Sequence, residues 1–123
     1  MVFGTGIDIV QINRIEKLLN NKNFINKVYT KKEQDYLDRR KYNPQTAAGI
    51  FAAKEAISKA LGTGIAGFNI TDLEIQNDES GRPYVVLYNN ALKLSIEKCI
   101  VSINISISHE KEYAVSIAIA EIN

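Results

Sequence analysis

Hydrophobic and polar residues alternate most clearly near the end of the chain. Over residues 101–107, valine or isoleucine fills every second position and serine or asparagine fills the positions between. After a short polar stretch, Val115, Ile117 and Ile119 alternate with alanine and serine. This alternation predicts two strands joined by a tight turn. One face of the hairpin is bulky, and the small-residue face could accept a closely packed helix or an equivalent sheet from another subunit.

The first part of the chain predicts one strand followed by helices. Residues 2–10 read as a strand, and residues 11–21 carry apolar side chains at helical spacing. Thr30 and Glu33 form a capping-box pattern, which opens a short helix that we expect to end near residue 40. Basic side chains mark that end: Arg39, Arg40 and Lys41.

The best-defined helix begins at Pro44 and stops at the Gly-Thr-Gly of residues 62–64, because proline suits a first helical turn and glycine a helix end. Residues 70–76 and 84–88 flank a polar turn and predict a hairpin. Residues 90–98 predict a further short helix. Strands mixed with helices, without a regular strand-helix-strand repeat, predict an α+β fold in which a mostly antiparallel sheet packs with helices.

Composition favours one domain over residues 1–123. The chain is 46% hydrophobic and 24% charged with a net charge of +1, so it can bury one core and has no overall charge that would attract nucleic acid. No stretch is long enough to predict a membrane span and the N-terminus lacks a signal-peptide pattern, so we expect a cytoplasmic location. Cys99 is the only cysteine, which excludes an internal disulfide.

Asp8 is the one charged residue in the first predicted strand. Alternation puts it on one face with Gly6 and Val10, while Ile7 and Ile9 share the other face, where we expect them to anchor the strand in the core. An ionised carboxylate in apolar surroundings is costly without a partner. The rest of the chain must therefore supply one.

Glu55 and Lys59 lie four residues apart on the long predicted helix and therefore share one of its faces. By spacing alone, they form an ordinary exposed ion pair. Together with Asp8, however, two carboxylates could share a hard divalent cation that keeps several waters. Lys59 could then contact an anionic group brought by the metal.

Five motifs follow one another along the chain: GIDIV at residues 6–10, T-x-x-E at 30–33, FAAKEAISKALGTG at 51–64, Gly-Arg-Pro at 81–83 and SISH at 106–109. In order and spacing they resemble the short bacterial holo-acyl-carrier-protein synthases, which are 4'-phosphopantetheinyl transferases. The resemblance covers nearly the whole chain. It implies transfer of the 4'-phosphopantetheine arm of coenzyme A to a serine of apo acyl carrier protein, which releases adenosine 3',5'-bisphosphate and supports fatty acid biosynthesis.

The resemblance also implies roles for the candidate residues. Asp8 and Glu55 would be the protein ligands of Mg²⁺, with pyrophosphate oxygens and water at the remaining positions. Lys59 would stabilise or protonate the departing phosphate. Either Glu55 or a metal-bound water would take the serine proton, and the sequence leaves both open.

Coenzyme A binding is implied for a wider set of residues. His109 of one subunit would contact a phosphate of the coenzyme A bound at a neighbouring subunit. Its position alone, however, favours a histidine in a turn with a solvent or backbone partner. Many family members have an arginine where this chain has Ile50, so the basic cluster near residue 40 could supply phosphate contacts or could be a solvated helix end. Residues 62–64 could also be only a helix stop, and Pro83 only part of an ordinary hairpin turn. The full candidate set is Arg39, Arg40, Lys41, Lys59, Gly62, Thr63, Gly64, Pro83 and His109.

Partner binding is implied for the first helix. Arg14 and Lys17 would face outward and orient an acidic carrier protein, or would simply form a solvated face. The resemblance implies a 4'-phosphopantetheinyl transferase fold assembled as a homotrimer with coenzyme A sites between subunits, and it favours the small-residue sheet face as the packing surface. A nucleotide-binding module without transfer activity and a structural interaction domain remain as alternatives.

Overall fold

The computed structural model describes residues 1–64 and 66–123. The strands are β1 (Val2–Gln11), β2 (Leu73–Asn77), β3 (Pro83–Leu87), β4 (Ile100–His109) and β5 (Tyr113–Ile122). The helices are α1 (Ile12–Leu18), α2 (Lys22–Val28), α3 (Lys31–Arg39), α4 (Pro44–Ala60) and α5 (Asn89–Glu97), with a short 3₁₀ helix at Ile70–Asp72. Among the described residues, no helix combines the length and apolar character needed to cross a membrane.

Both sheets are antiparallel. One sheet has the strand order β1-β5-β4, and the other is the β2–β3 hairpin. Helix α4 lies across the larger sheet and contacts all of its strands. This arrangement confirms the predicted α+β fold.

Helix α4 and strand β1 approach each other at backbone range. A side-chain Cβ at Gly4 would collide with the backbone oxygen of Ala60, and a Cβ at Gly6 would collide with that of Ala56. Small buried side chains allow the same close approach on the neighbouring strand β5: Ala114, Ser116, Ala118 and Ala120. The small-residue face of β5 therefore packs on a helix of its own chain, and the expectation that this face packs between subunits is wrong.

The two faces of the β4–β5 hairpin also differ from the prediction. Ile105 lies opposite Ala118, and Ser106 lies opposite Ile117. The bulky face of β4 is therefore on the same side as the small face of β5. The tight turn, in which Glu110 N–H donates to the Tyr113 carbonyl at 2.9 Å, sets this register.

The other face of the larger sheet is apolar and exposed. Ile7 and Ile9 are 63% and 64% exposed, so the expectation that they anchor the core is wrong. Their register partners on β5, Ile117 and Val115, lie on the same outer face. Alternation groups residues into faces but does not say which face is covered.

The helix boundaries agree with the sequence prediction at α3 and differ from it at α1. The capping box of Thr30 and Glu33 is present at the start of α3, as predicted. The helix predicted over residues 11–21 instead ends at Leu18, because Asn21 caps a separate helix, α2, that we did not predict.

Candidate active site

Asp8, Glu55 and Lys59 come from the two elements that pack at backbone range, β1 and α4. Asp8 lies on the β1 face that carries Gly6 and Val10, which is the face turned toward α4. The Lys59 ammonium Nζ lies 3.3 Å from Asp8 Oδ1. It also donates a hydrogen bond of 2.9 Å to the carbonyl of the residue before Asp8. The chain therefore supplies a charged partner for Asp8, but this partner is Lys59, whereas the sequence predicted a divalent cation shared with Glu55.

The pKa of Glu55 depends on the charges of Asp8, Lys59 and Arg14. Burial raises the pKa of the Glu55 carboxyl, and the negative charge of Asp8 raises this pKa further, while Lys59 and Arg14 act in the opposite direction. The net shift is upward, so the nearby cations only partly offset burial and the repulsion between the carboxylates. An additional cation would stabilise the ionised pair.

The donor set fits a hard divalent cation that takes most of its ligands from outside the protein. Mg²⁺ is commonly held by one or two carboxylates, with substrate phosphates and waters completing its shell. Across residues 1–64 and 66–123, no three or more His, Cys, Asp or Glu side chains are grouped to hold a metal ion. Asp8 and Glu55 thus suit a phosphate-bound cation better than a closed protein site.

A pocket of about 210 Å³ lies beside the N-terminal part of α4. His109 at the end of β4, Pro83 at the start of β3 and Ile50 on α4 all line it. Gln45 Nε2 donates a 3.3 Å hydrogen bond to the carbonyl of Glu110 and so ties α4 to the turn after His109. We call this cavity the His109 pocket.

The basic cluster at the end of α3 adjoins this pocket. Arg39 lines a neighbouring groove together with Tyr36, and Tyr36 also lines the His109 pocket. The Arg40 guanidinium lies 3.8 Å from the centre of the Tyr36 ring. Lys41 is exposed and has a positive φ of 55° in the turn that follows α3. The cluster and His109 are thus on the same side of the molecule.

The loop of residues 62–64 lies at the opposite end of α4. Gly62 N–H donates to the Lys59 carbonyl at 2.9 Å, and Gly62 and Gly64 have positive φ angles of 84° and 58°. At about 1.5 Å per helical residue, this loop is on the order of 20 Å from the His109 pocket. One chain therefore does not bring the two halves of the predicted coenzyme A set together.

The predicted partner-binding residues lie on α1 and are exposed. Arg14 is near enough to the carboxylate pair to lower the pKa of Glu55. Lys17 is in the last turn of the same helix. A surface that includes both residues would thus adjoin the cluster of Asp8, Glu55 and Lys59.

Sequence reasoning missed two features that build the site. The glycines of β1 were not recognised as the reason that Asp8 can lie beside α4, although glycine alternating within a strand indicates close backbone approach. Gln45, which anchors α4 near His109, carries no sequence signal of its own.

Comparison with known proteins extends these observations. A family model described as the 4'-phosphopantetheinyl transferase superfamily matches residues 4–118. A holo-[acyl-carrier-protein] synthase of Fusobacterium nucleatum is 50% identical over 120 residues, which cover 97% of this chain and 98% of that protein.

Solved structures agree over the same length. The holo-[acyl-carrier-protein] synthase of Neisseria meningitidis has a TM-score of 0.91 and 30% identity, and the match covers 98% of this chain and 99% of that one. The synthase of Bacillus anthracis, solved in complex with CoA (3',5'-ADP), has a TM-score of 0.83 and 35% identity. This match covers 100% of this chain and 99% of that one.

The fold and the site define an α+β protein whose carboxylate pair suits a cation held with phosphate. The chain belongs to the 4'-phosphopantetheinyl transferase superfamily. The resemblance seen in the sequence motifs is confirmed.

Proposed function

We propose that this protein is a holo-acyl-carrier-protein synthase. It transfers the 4'-phosphopantetheine group of coenzyme A to a serine of apo acyl carrier protein and thereby supports fatty acid biosynthesis in the cytoplasm. The observation that carries the proposal is the cluster of Asp8, Glu55 and Lys59 in a chain that is 50% identical to a holo-[acyl-carrier-protein] synthase over 97% of its length. In this proposal residues 1–123 act as one transferase domain.

Mg²⁺ is the cation that we expect Asp8 and Glu55 to hold. When bound, it would neutralise charge on the pyrophosphate of coenzyme A. Lys59 contributes a half-exposed ammonium beside Asp8 that can reach the departing phosphate. The raised pKa of Glu55 suits a group that takes the serine proton, either directly or through a water that it orients.

Coenzyme A is the co-substrate in this proposal, which is supported by the CoA (3',5'-ADP) complex of the Bacillus anthracis synthase. Residues 62–64 would contact it near Lys59, whereas His109, Pro83 and the basic cluster of residues 39–41 would contact it at the His109 pocket. Because these groups lie at opposite ends of α4, we infer that each site combines residues from two chains.

A homotrimer would supply such shared sites. The exposed apolar face around Ile7, Ile9 and Ile117 supports assembly, because soluble monomers rarely expose a contiguous apolar patch of this kind. This outer face, rather than the small-residue face, is the surface that we expect to lie between subunits.

Carrier protein would bind at Arg14 and Lys17. Their exposure on α1 and the effect of Arg14 on the Glu55 pKa support a docking surface that leads directly to the carboxylate pair. Acidic partners are steered by such basic groups.

Mass spectrometry of an apo acyl carrier protein tests the proposal. After incubation with this protein, coenzyme A and Mg²⁺, we expect the carrier to gain the mass of one phosphopantetheine group. A nucleotide-binding module would bind coenzyme A and leave the carrier unchanged. A structural interaction domain would bind neither ligand, so the outcomes are distinct.

A further inference from the structure

Lys54 and Glu33 form a buried ion pair that takes no part in the proposed reaction. Their side chains are 1% and 0% exposed. The Glu33 carboxylate accepts hydrogen bonds from Lys54 Nζ, from the backbone N–H of Thr30 at 2.8 Å and from the backbone N–H of Ile75 at 2.6 Å. Lys54 Nζ also donates to the carbonyl of Val28 at 2.6 Å.

These bonds connect four elements at one point. Glu33 lies on α3, Lys54 on α4 and Ile75 on β2, while Val28 ends α2. A second link to β2 runs from Thr30 Oγ1, which donates to Glu74 Oε2 at 2.6 Å. The β2–β3 hairpin is therefore attached to α3 and α4 by polar groups of defined geometry.

The hairpin forms one wall of the His109 pocket. Ile75 on β2 and Pro83 on β3 line this pocket together with Ile50 of α4. Pro83 pairs with Asn77 in the hairpin, so a shift of β2 moves Pro83 with it. The hydrogen bond from the Ile75 N–H to Glu33 thus helps to fix the position of this pocket wall, although Glu33 itself does not line the pocket.

Stability alone gives a weak reason to keep a buried ion pair, because apolar residues of similar volume often replace such pairs without loss. Apolar residues cannot, however, accept the hydrogen bond from the Ile75 backbone. The Glu33 carboxylate accepts this hydrogen bond, and its ion pair with Lys54 fixes the distance of the carboxylate from α4.

We propose that Glu33, held in place by Lys54, is a positioning residue that fixes the β2–β3 hairpin against α4 and thereby sets the width of the His109 pocket for coenzyme A. The inference rests on the proposed function, because coenzyme A is the ligand whose binding reports the pocket. Loss of Glu33 should weaken coenzyme A binding and leave the reacting groups on β1 and α4 unchanged.

Two variants separate positioning from stability. Lys54→Met removes the cation and leaves the Glu33 acceptor for Ile75 in place, at the cost of an uncompensated buried carboxylate. The double variant Glu33→Met/Lys54→Met removes both charges and also the acceptor. We expect KM for coenzyme A to be about fivefold higher in the double variant than in the wild type, with an intermediate value in Lys54→Met and kcat within about twofold in both.

Calorimetric titration of coenzyme A should show the same loss of affinity, and circular dichroism with urea unfolding should give the folded fraction of each variant. Lys31→Met serves as the matched control, since the ion pair of Lys31 with Asp35 is exposed. Should the double variant not fold, Thr30→Val, which removes the Oγ1 bond to Glu74 and also the capping bond from the Glu33 N–H, should raise KM about twofold.

Values of KM and affinity in the double variant that equal those of the wild type would overturn the proposal. So would a fall in kcat in proportion to the folded fraction with KM unchanged, because that pattern reports only lost active protein. If the wild-type protein binds coenzyme A without modifying a carrier, the proposed transfer fails, yet the calorimetric comparison still tests the role of Glu33.

Discussion

At the residue scale, the charge of Asp8 within an apolar strand predicts a nearby partner of opposite charge. Its position in an apolar strand indicated that a partner must exist, and the Lys59 ammonium lies 3.3 Å away. Alternation correctly put Asp8 on the face with Gly6 and Val10. It could not reveal that this face, and not the face of Ile7, packs on α4, because alternation carries no information about which face is covered.

The raised pKa of the Glu55 carboxyl predicts how the free energy of unfolding changes with pH. Because its pKa is raised above the ordinary value of 4.5, the folded protein binds this proton more tightly than the unfolded chain. The resulting contribution to stability is fully present below that value and is lost as the pH rises through the raised pKa. We therefore expect this group to lower the free energy of unfolding as pH increases above about 4.5 without divalent cation.

Urea unfolding of the wild type and of Asp8→Asn across this range checks the prediction. Removing the Asp8 charge removes one cause of the upward shift, so the Glu55 contribution should fall less steeply with pH in the variant. Identical slopes would mean that Asp8 and Glu55 do not interact. Added Mg²⁺ should stabilise the wild type more than Asp8→Asn, since ligand binding to the folded state adds stability.

At the element scale, the site depends on the close contact between β1 and α4. Sequence signals found both elements, the capping box of α3 and the helix stop after Lys59, because each signal is local. The register of β4 with β5 and the separate helix α2 were missed, because a turn and the Asn21 cap decide them.

Gly6→Ala tests this contact. The added Cβ would collide with the backbone oxygen of Ala56, which cannot move without shifting α4. We expect a loss of about 2 kcal/mol or more in the free energy of unfolding, together with weaker transferase activity. Urea denaturation measures the loss, and Lys93→Ala, at an exposed position on α5, is the control. A Gly6→Ala protein as stable as the control would contradict the packing described.

At the scale of the whole molecule, the sequence predicted the family but not which face of the larger sheet is exposed. The motifs are short and ordered, so they identify the superfamily without any tertiary information. The predicted coenzyme A residues fall at both ends of α4, and the apolar face around Ile7 and Ile9 is exposed in the single chain. Both observations support the proposal that the sites are shared between chains.

Ile7→Lys should dissociate the proposed trimer, because it puts a charge into an apolar face that the assembly would bury. The variant should remain folded, since Ile7 is exposed in the single chain. Light scattering after size-exclusion chromatography measures the mass. Ile96→Lys on α5, where the native side chain is 66% exposed, is the matched control and should leave the mass unchanged. A trimer that persists in Ile7→Lys would assign assembly to another surface.

The most direct test of the central claim is the rate at which apo acyl carrier protein gains phosphopantetheine, followed by mass spectrometry with coenzyme A and Mg²⁺. We predict rapid modification by the wild type and by Glu97→Gln, an exposed helical glutamate, and a loss of about 100-fold or more for Asp8→Asn and Glu55→Gln, with all variants folded. Wild-type rates in Asp8→Asn and Glu55→Gln, or a carrier left unmodified by folded wild-type protein that binds coenzyme A, would contradict the account.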